Sequence, residues 1–399
     1  MSLLSQRAKK LKPSATLAIT AKAKQLRAEG VDVIGFGAGE PDFATPAHII
    51  DAAVKSLQAG DTHYTPVGGT PQLKQAIADA VKRDYDLEYD AKSITASCGA
   101  KHTLYNLFMA ILDEGDEVII PAPYWVSYPE QVALAEGVPV IMPTSEDEGF
   151  IPNPAVLEKL VTSRTKALVL NSPSNPTGSM YSAEDMQKLA EVARRHDFLI
   201  ISDDIYHKLV YGDAKYCSIL QVAPDLRERV VIVNGVSKTY AMTGWRLGYA
   251  LGPTEIIAAM EKIQGQSTSN PTSFAQVGAI EALVGDQSCV AELLAIFDKR
   301  RNILVKGLNE MELISCRMPA GAFYAFPNIS ALFGKTTPGG EVLADSFDVA
   351  KYLLEEAKIA VVPGAPFGAD ANVRMSYATS EDAITTGLAR MSSALDKLN

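Results

Sequence analysis

A chain of 399 residues with 47% hydrophobic content and a mean hydropathy of +0.04 reads as a soluble globular protein, too long for a single small core. Its net charge of −10 argues against nucleic acid or an anionic membrane as the main partner, though a local positive pocket stays open to it. Cys98, Cys217, Cys289 and Cys316 make no Cys-x-x-Cys pair, and His48, His63, His102, His196 and His207 have no ligand spacing, so neither a metal site nor a redox dithiol is expected.

The segment 1–13 is basic with only Leu3-Leu4 as an apolar core, so no signal peptide is expected. No apolar run reaches the length of a membrane span, and a cytoplasmic protein with reduced thiols is the expectation. An alanine-rich helix is predicted over 14–28, stopped by Gly30, followed by a short strand over 31–34. Gly35-Phe36-Gly37 opens like a dinucleotide fingerprint. Glu40 stands where its third glycine belongs, however, and no helix starts there, so that reading fails. Helices over 48–59 and 71–83 flank the turn that carries Tyr64.

From residue 94 strands and helices alternate. Strands are predicted over 94–96, 117–120, 138–142, 167–170, 198–202 and 230–233, with a helix over 100–112 and helical patterns between the others. This rhythm predicts an α/β fold with a largely parallel sheet and ligands at the carboxyl ends of its strands. After Gly248 come helices over 255–264 and 288–308 with one between them. Strands over 313–316, 323–326, 360–362 and 373–376, with helices over 347–356 and 383–398, make a second unit.

Candidate chemistry falls at the strand ends. Ser97-Cys98-Gly99-Ala100-Lys101 sits at a strand-to-helix turn, where free N–H groups and the helix dipole suit a phosphate, a common feature taken alone. Asp203 ends an apolar strand, where a carboxylate is costly unless it meets a cation; the plain alternative for Asp203-Asp204 is a solvated acidic pair. Lys238 follows the run Val230-Val231-Ile232-Val233. Desolvation there would lower its pKa and free the amine to attack an aldehyde; the plain alternative is a surface lysine. Arg246, eight residues on, is a planar cation suited to a phosphate, and Arg374, flanked by strand formers, has the fork for a carboxylate. Trp125 and Tyr64, read alone, are packing aromatics.

Gly235, Ser237, Lys238, Gly244 and Arg246, together with Asn175-Pro176-Thr177-Gly178 and Ala320-Gly321-Ala322-Phe323-Tyr324, resemble the motifs of the class I (fold type I) pyridoxal-phosphate aminotransferases. The resemblance runs from Lys12 to the last helix and is nearest to the bacterial subgroup Ib aspartate aminotransferases. It implies an N-terminal arm (1–13), a small α+β domain (14–47 and 291–399), a large cofactor-binding domain (48–290) and a homodimer with shared active sites. Lys238 would carry pyridoxal 5'-phosphate and serve as base, Asp203 would face the pyridine nitrogen, and Tyr206 and Asn175 the phenolic oxygen. Trp125 would stack on the ring. Gly99, Ala100, Lys101, Ser237 and Arg246 would hold the phosphate, and Tyr64 would reach the cofactor phosphate of the second subunit. Ser267 and Thr268 would lie at the dimer interface.

Gly39, Trp125, Asn175 and Arg374 would touch the substrate, with Arg374 on its α-carboxylate, while Lys101 and Thr16 read the distal carboxylate. The implied reaction moves an amino group between L-aspartate or L-glutamate and 2-oxoglutarate or oxaloacetate by a ping-pong route. Prephenate is an additional acceptor in members sharing Thr16 and Lys101. The rivals are an aromatic or alanine preference, a C–S lyase on the same fold, and a non-catalytic regulator, which the acidic balance opposes.

Overall fold

The computed structural model describes residues 3–11 and 15–399. After β1 (Ile34–Gly35), strands alternate with helices: β2 (Ile94–Ser97), β3 (Glu117–Pro121), β4 (Val138–Met142), β5 (Thr165–Asn171), β6 (Leu199–Asp203), β7 (Val230–Gly235) and β8 (Gly248–Leu251). These last seven form one sheet in the order β2-β8-β7-β6-β5-β3-β4. β8 runs antiparallel to both neighbours, and the other pairs are parallel. Strands β3, β5, β6 and β7 are almost wholly buried, which is why they read as near-continuous apolar runs.

Alternation along each strand divides the apolar side chains between two cores. Val230 and Ile232 join Ile77, Leu189 and Ile200 on one face; Val231 and Val233 join Leu104, Phe108 and Val169 on the other. The covering helices are set by local chemistry. Thr70 caps Pro71–Tyr85, which carries proline in its first turn, and Ser182 with Asp185 forms a capping box on Ala183–Arg195.

The remaining strands are β9 (Tyr324–Ala325), β10 (Ile359–Ala360), β11 (Val362–Pro363) and β12 (Val373–Ser376). β10 pairs in parallel with β1, and β11, β12 and β9 form an antiparallel sheet in that order. A third core joins Phe36 from early in the chain to Phe297, Leu304, Phe323, Val349 and Met391 from late in it.

The structure adds one strand that was not predicted and alters several that were. β8 was not predicted, because Gly248-Tyr249-Ala250-Leu251 is short and has no β-branched residue; it is held as a strand by partners on both sides. The 313–316 segment is no strand, since only Ser315 bridges, to Asn328. The predicted strand over 360–362 is two, β10 and β11, because the chain leaves β1 at Ala360 to meet β12 at Val362. The strand over 31–34 shrinks to Ile34–Gly35, the two residues that find a partner. No described helix is long and apolar enough to cross a membrane.

Gly248 fixes the approach of β8 to the helix Ala100–Ile111. A Cβ there would stand 2.2 Å from the Ala100 nitrogen and 2.6 Å from its Cα, and backbone cannot swing aside. Gly248→Ala is expected to cost about 1–3 kcal/mol or more, read as a lower urea midpoint at unchanged slope. An unchanged midpoint would mean that strand and helix do not meet so closely.

Candidate active site

The carboxyl ends of β2, β3, β5, β6 and β7 and the turn leading into β8 open on one cavity of about 310 Å³, closed on its other side by Gly39, Tyr324 and Arg374. Lys238 lies on its wall, three residues past the end of β7, and its Nζ donates to the Gly39 carbonyl at 2.6 Å. Burial pulls the amine's pKa down to about 8, and the nearby Arg374 and Arg246 charges add to that while Glu40 opposes it. The surface-lysine reading is therefore excluded.

Asp203, 3% exposed, accepts a hydrogen bond from the Tyr128 hydroxyl at 2.6 Å and one from the Ile205 amide at 3.3 Å. It has no ion pair among the described residues, and burial pushes its pKa up to about 6 in spite of these donors. The pair Asp203-Asp204 is thus not solvated: both are buried.

A chain of hydrogen bonds leads from this acid to Arg374. The Asn171 amide donates to the Asp203 carbonyl at 2.9 Å, and its oxygen accepts from the Asn175 backbone at 2.9 Å. The Asn175 side-chain oxygen accepts from Arg374 Nη1 at 2.9 Å, while Nη2 donates to the Gly37 carbonyl at 2.9 Å. Arg374 is 1% exposed; its Nε has no partner and its guanidinium no carboxylate among the described residues. It lies 4.5 Å from the Tyr324 ring centre, and the Tyr324 hydroxyl is 2.9 Å from that of Tyr206.

Across the cavity, Gly99 starts the helix Ala100–Ile111 at φ +89° with no side-chain cap, so the Ala100 and Lys101 amides head the helix free of one. A Cβ on Gly99 would stand 2.5 Å from Arg246 Nη2, so glycine is what lets that guanidinium close over the helix end. Arg246 is exposed and anchored by Nη1 to the Thr243 carbonyl at 2.8 Å; Ser237 is buried beside Lys238. Trp125 is half-buried on the wall, edge-on to Tyr128 at 5.3 Å, with the exposed Lys101 Nζ 4.9 Å from its ring centre.

Three candidates stand elsewhere. Tyr64 is 90% exposed, which removes its reading as a packing tyrosine, and it does not line the cavity. Ser267 and Thr268 are exposed in a loop. The side chain of Thr16, like residues 12–14, lies outside the described residues. Conversely, Tyr128, Asn171, Thr243 and Tyr324 line the cavity without having been assigned a role. Asn171, Thr243 and Tyr324 sat inside or beside recognised motifs; Tyr128 carried no signal beyond its aromatic ring.

The arrangement combines an uncapped helix end beside a guanidinium, an amine of lowered basicity and a buried acid with no cation. These fit a phosphorylated pyridine aldehyde: phosphate, aldehyde and ring nitrogen each find the complementary group. Among the described residues no group of three or more His, Cys, Asp or Glu side chains could hold a metal.

The sequence pattern of the family "Aminotransferase class I and II" matches residues 31–391. An aspartate aminotransferase of Geobacillus stearothermophilus is 53% identical over 391 residues, covering 97% of this chain and 98% of that one. An aspartate/prephenate aminotransferase of Nitrosomonas europaea is 50% identical over 396 residues, covering 98% and 99%. The structure of Thermus thermophilus aspartate aminotransferase with maleate superposes with a TM-score of 0.93 at 43% identity, over 99% of this chain and 100% of that one. With sequence and fold agreeing along nearly the whole length, the chain belongs to the class I and II aminotransferases.

Proposed function

We propose that this chain is a pyridoxal-phosphate-dependent aspartate aminotransferase exchanging amino groups between L-aspartate or L-glutamate and their keto acids. One observation carries the assignment of roles: a single cavity gathers a weakly basic amine, a buried acid without a cation and a buried guanidinium without an anion. When bound, pyridoxal phosphate supplies an aldehyde for the amine and a ring that delocalises the charge left on an amino acid's Cα.

The residues then divide the work. Lys238 Nζ takes the Cα proton and later returns it, a role suited to an amine that is partly neutral near neutral pH. Asp203, steadied by Tyr128, would hold a proton on the ring nitrogen. Asn175 and Tyr206 would serve the phenolic oxygen, and Trp125 would serve the ring. The Gly99, Ala100 and Lys101 amides, Ser237 and Arg246 would hold the phosphate, helped by Tyr64 from a second copy. Arg374 grips the α-carboxylate with its free Nε and its Nη atoms while Gly39 offers an amide, which aims the Cα–H bond at Lys238.

The acidic preference rests on the names of close relatives, on the dicarboxylate maleate in the Thermus thermophilus structure, and on the exposed Lys101 ammonium at the rim beside Trp125. Thr16 is its proposed companion. Prephenate is a second acceptor in this reading, because full-length relatives carry that name too.

A homodimer completes the site. Ile50, Val54 and Leu57 stand along one outer face of the helix Ala47–Gln58 at 39%, 43% and 42% exposure, and Tyr64 follows it. A second copy would cover this apolar stripe. The proposed division is a large domain over 48–290 and a small one from 14–47 and 291–399, supported by the core in which residues from both chain ends pack together. The proposed compartment is the cytoplasm.

Three outcomes test this reading. The rate at which the apoprotein takes up pyridoxal phosphate, followed by absorbance, should climb with pH and level off near pH 8. A climb continuing to about pH 10 would mark Lys238 as an ordinary lysine. Arg374→Lys keeps the charge but loses the fork, and is expected to lower kcat/KM for aspartate by about tenfold to a hundredfold. Mixed singly with the holoenzyme, aspartate, glutamate and arogenate should each convert the cofactor's absorbance within one half-reaction. Conversion by phenylalanine or alanine with none by aspartate would overturn the acidic assignment.

A further inference from the structure

Asp204 follows directly on Asp203, and the alternation of the strand sends it to the opposite face of the sheet, away from the cavity. It is 1% exposed, and Ser202 Oγ donates to its Oδ1 at 2.6 Å. Its backbone is bonded on both sides: its amide donates to the Val233 carbonyl of β7 at 2.8 Å, and its own carbonyl accepts from the His207 amide of the following turn at 2.9 Å. The His207 ring nitrogen Nδ1 lies 3.1 Å from that same carbonyl.

The groups facing Asp204 from neighbouring elements are neutral. Tyr85 comes from the helix Pro71–Tyr85, Tyr89 from the segment after it, and Tyr249 from β8; burial raises the pKa of each phenol. Tyr216 and Cys217 come from the loop after β6, and burial raises them likewise. Arg83 and Lys208 serve a different acid: Arg83 Nε donates to Asp84 at 2.8 Å and Lys208 Nζ lies 3.0 Å from it. The His207 ring, whose basicity burial lowers, has its Nε2 3.5 Å from Asp84. These partners hold Asp84 well below the usual carboxylate range despite its burial. Asp84, only partly buried, thus has countercharge, whereas the fully buried Asp204 has no ion pair among the described residues.

We propose that Asp204 is a positioning residue kept as a neutral carboxylic acid behind the sheet, so that Asp203 is the single negative charge at the end of β6. An ionised Asp204 would set two negative charges on adjacent buried residues and raise the proton affinity of everything Asp203 faces, Lys238 included. Burial pushes Asp204 up to about 7, with the Asp203 charge adding and the Ser202, Tyr216 and Tyr85 hydroxyls opposing, so the acid is neutral on the acid side of that pH and ionises above it. The role of Asp203 rests on the function proposed above; the protonation of Asp204 does not.

The test compares the wild-type apoprotein with Asp204→Asn, a neutral group of the same shape, by thermal unfolding between about pH 5.5 and about pH 8.5. An acid whose folded pKa is raised contributes stability at low pH and loses it as pH rises through about 7. Wild-type Tm should therefore fall by about 2 °C or more relative to Asp204→Asn across that range. A gap that does not change with pH, a gap moving in the wild type's favour as pH rises, or failure of Asp204→Asn to fold would each overturn the proposal. In the holoprotein, the midpoint of the cofactor's absorbance titration should differ between the two proteins by about 0.3 pH unit or more. Identical midpoints would overturn the action of Asp204 on Asp203, and the apoprotein measurement stands apart from any failure of the aminotransferase reading.

Discussion

Taking a charge out of water costs several kcal/mol unless an opposite charge or full hydrogen bonding meets it. Around one cavity this protein holds a buried carboxylate, Asp203, and a buried guanidinium, Arg374, that form no ion pair with each other or with any other described residue. They are linked only through the amides of Asn171 and Asn175, which keep them apart. Such a separation is worth maintaining only where a ligand brings the missing partners, so the stability of the site and its binding capacity are one property seen from two sides.

The fold supplies the separation. Asp203 belongs to β6 of the large sheet and Arg374 to β12 of the small one, 171 positions apart in the chain by their numbers. The antiparallel β8 brings the turn with Arg246 to the same edge as the carboxyl ends of the parallel strands, where Gly248 pairs with Ser97 and Gly235. Glycines at 99 and 248 then let the helix end, the guanidinium and the strand start crowd together. Helix end, amine and acid are thus held at or just beyond strand ends.

The reverse face of the sheet shows the same economy of charge. Asp84 collects Arg83, Lys208 and His207, and Asp204 is left among phenols. Consecutive acids at the end of β6 thereby reach different fates: one lies on the cavity wall, and the other lies where burial disfavours ionisation.

Much of this was legible in the sequence. The alternation of apolar runs announced an α/β fold, and residues whose chemistry is expensive in an apolar setting, Asp203, Lys238 and Arg374, stood out at strand ends because their neighbours were strand formers. Other features depended on partners that local patterns do not contain. Tyr128 meets Asp203 across 75 positions, and nothing in its own surroundings foretold the contact. The strand β8 exists because both its edges are paired, while 313–316, with a comparable apolar run, found only one bridge. The sequence left a solvated acidic pair as the plain alternative for Asp203-Asp204, and both proved buried. Residue type and periodicity determined which side chains were costly to bury and which segments would be strands; only the tertiary structure decided which face each one met, because pairing and burial are set by segments remote in the chain.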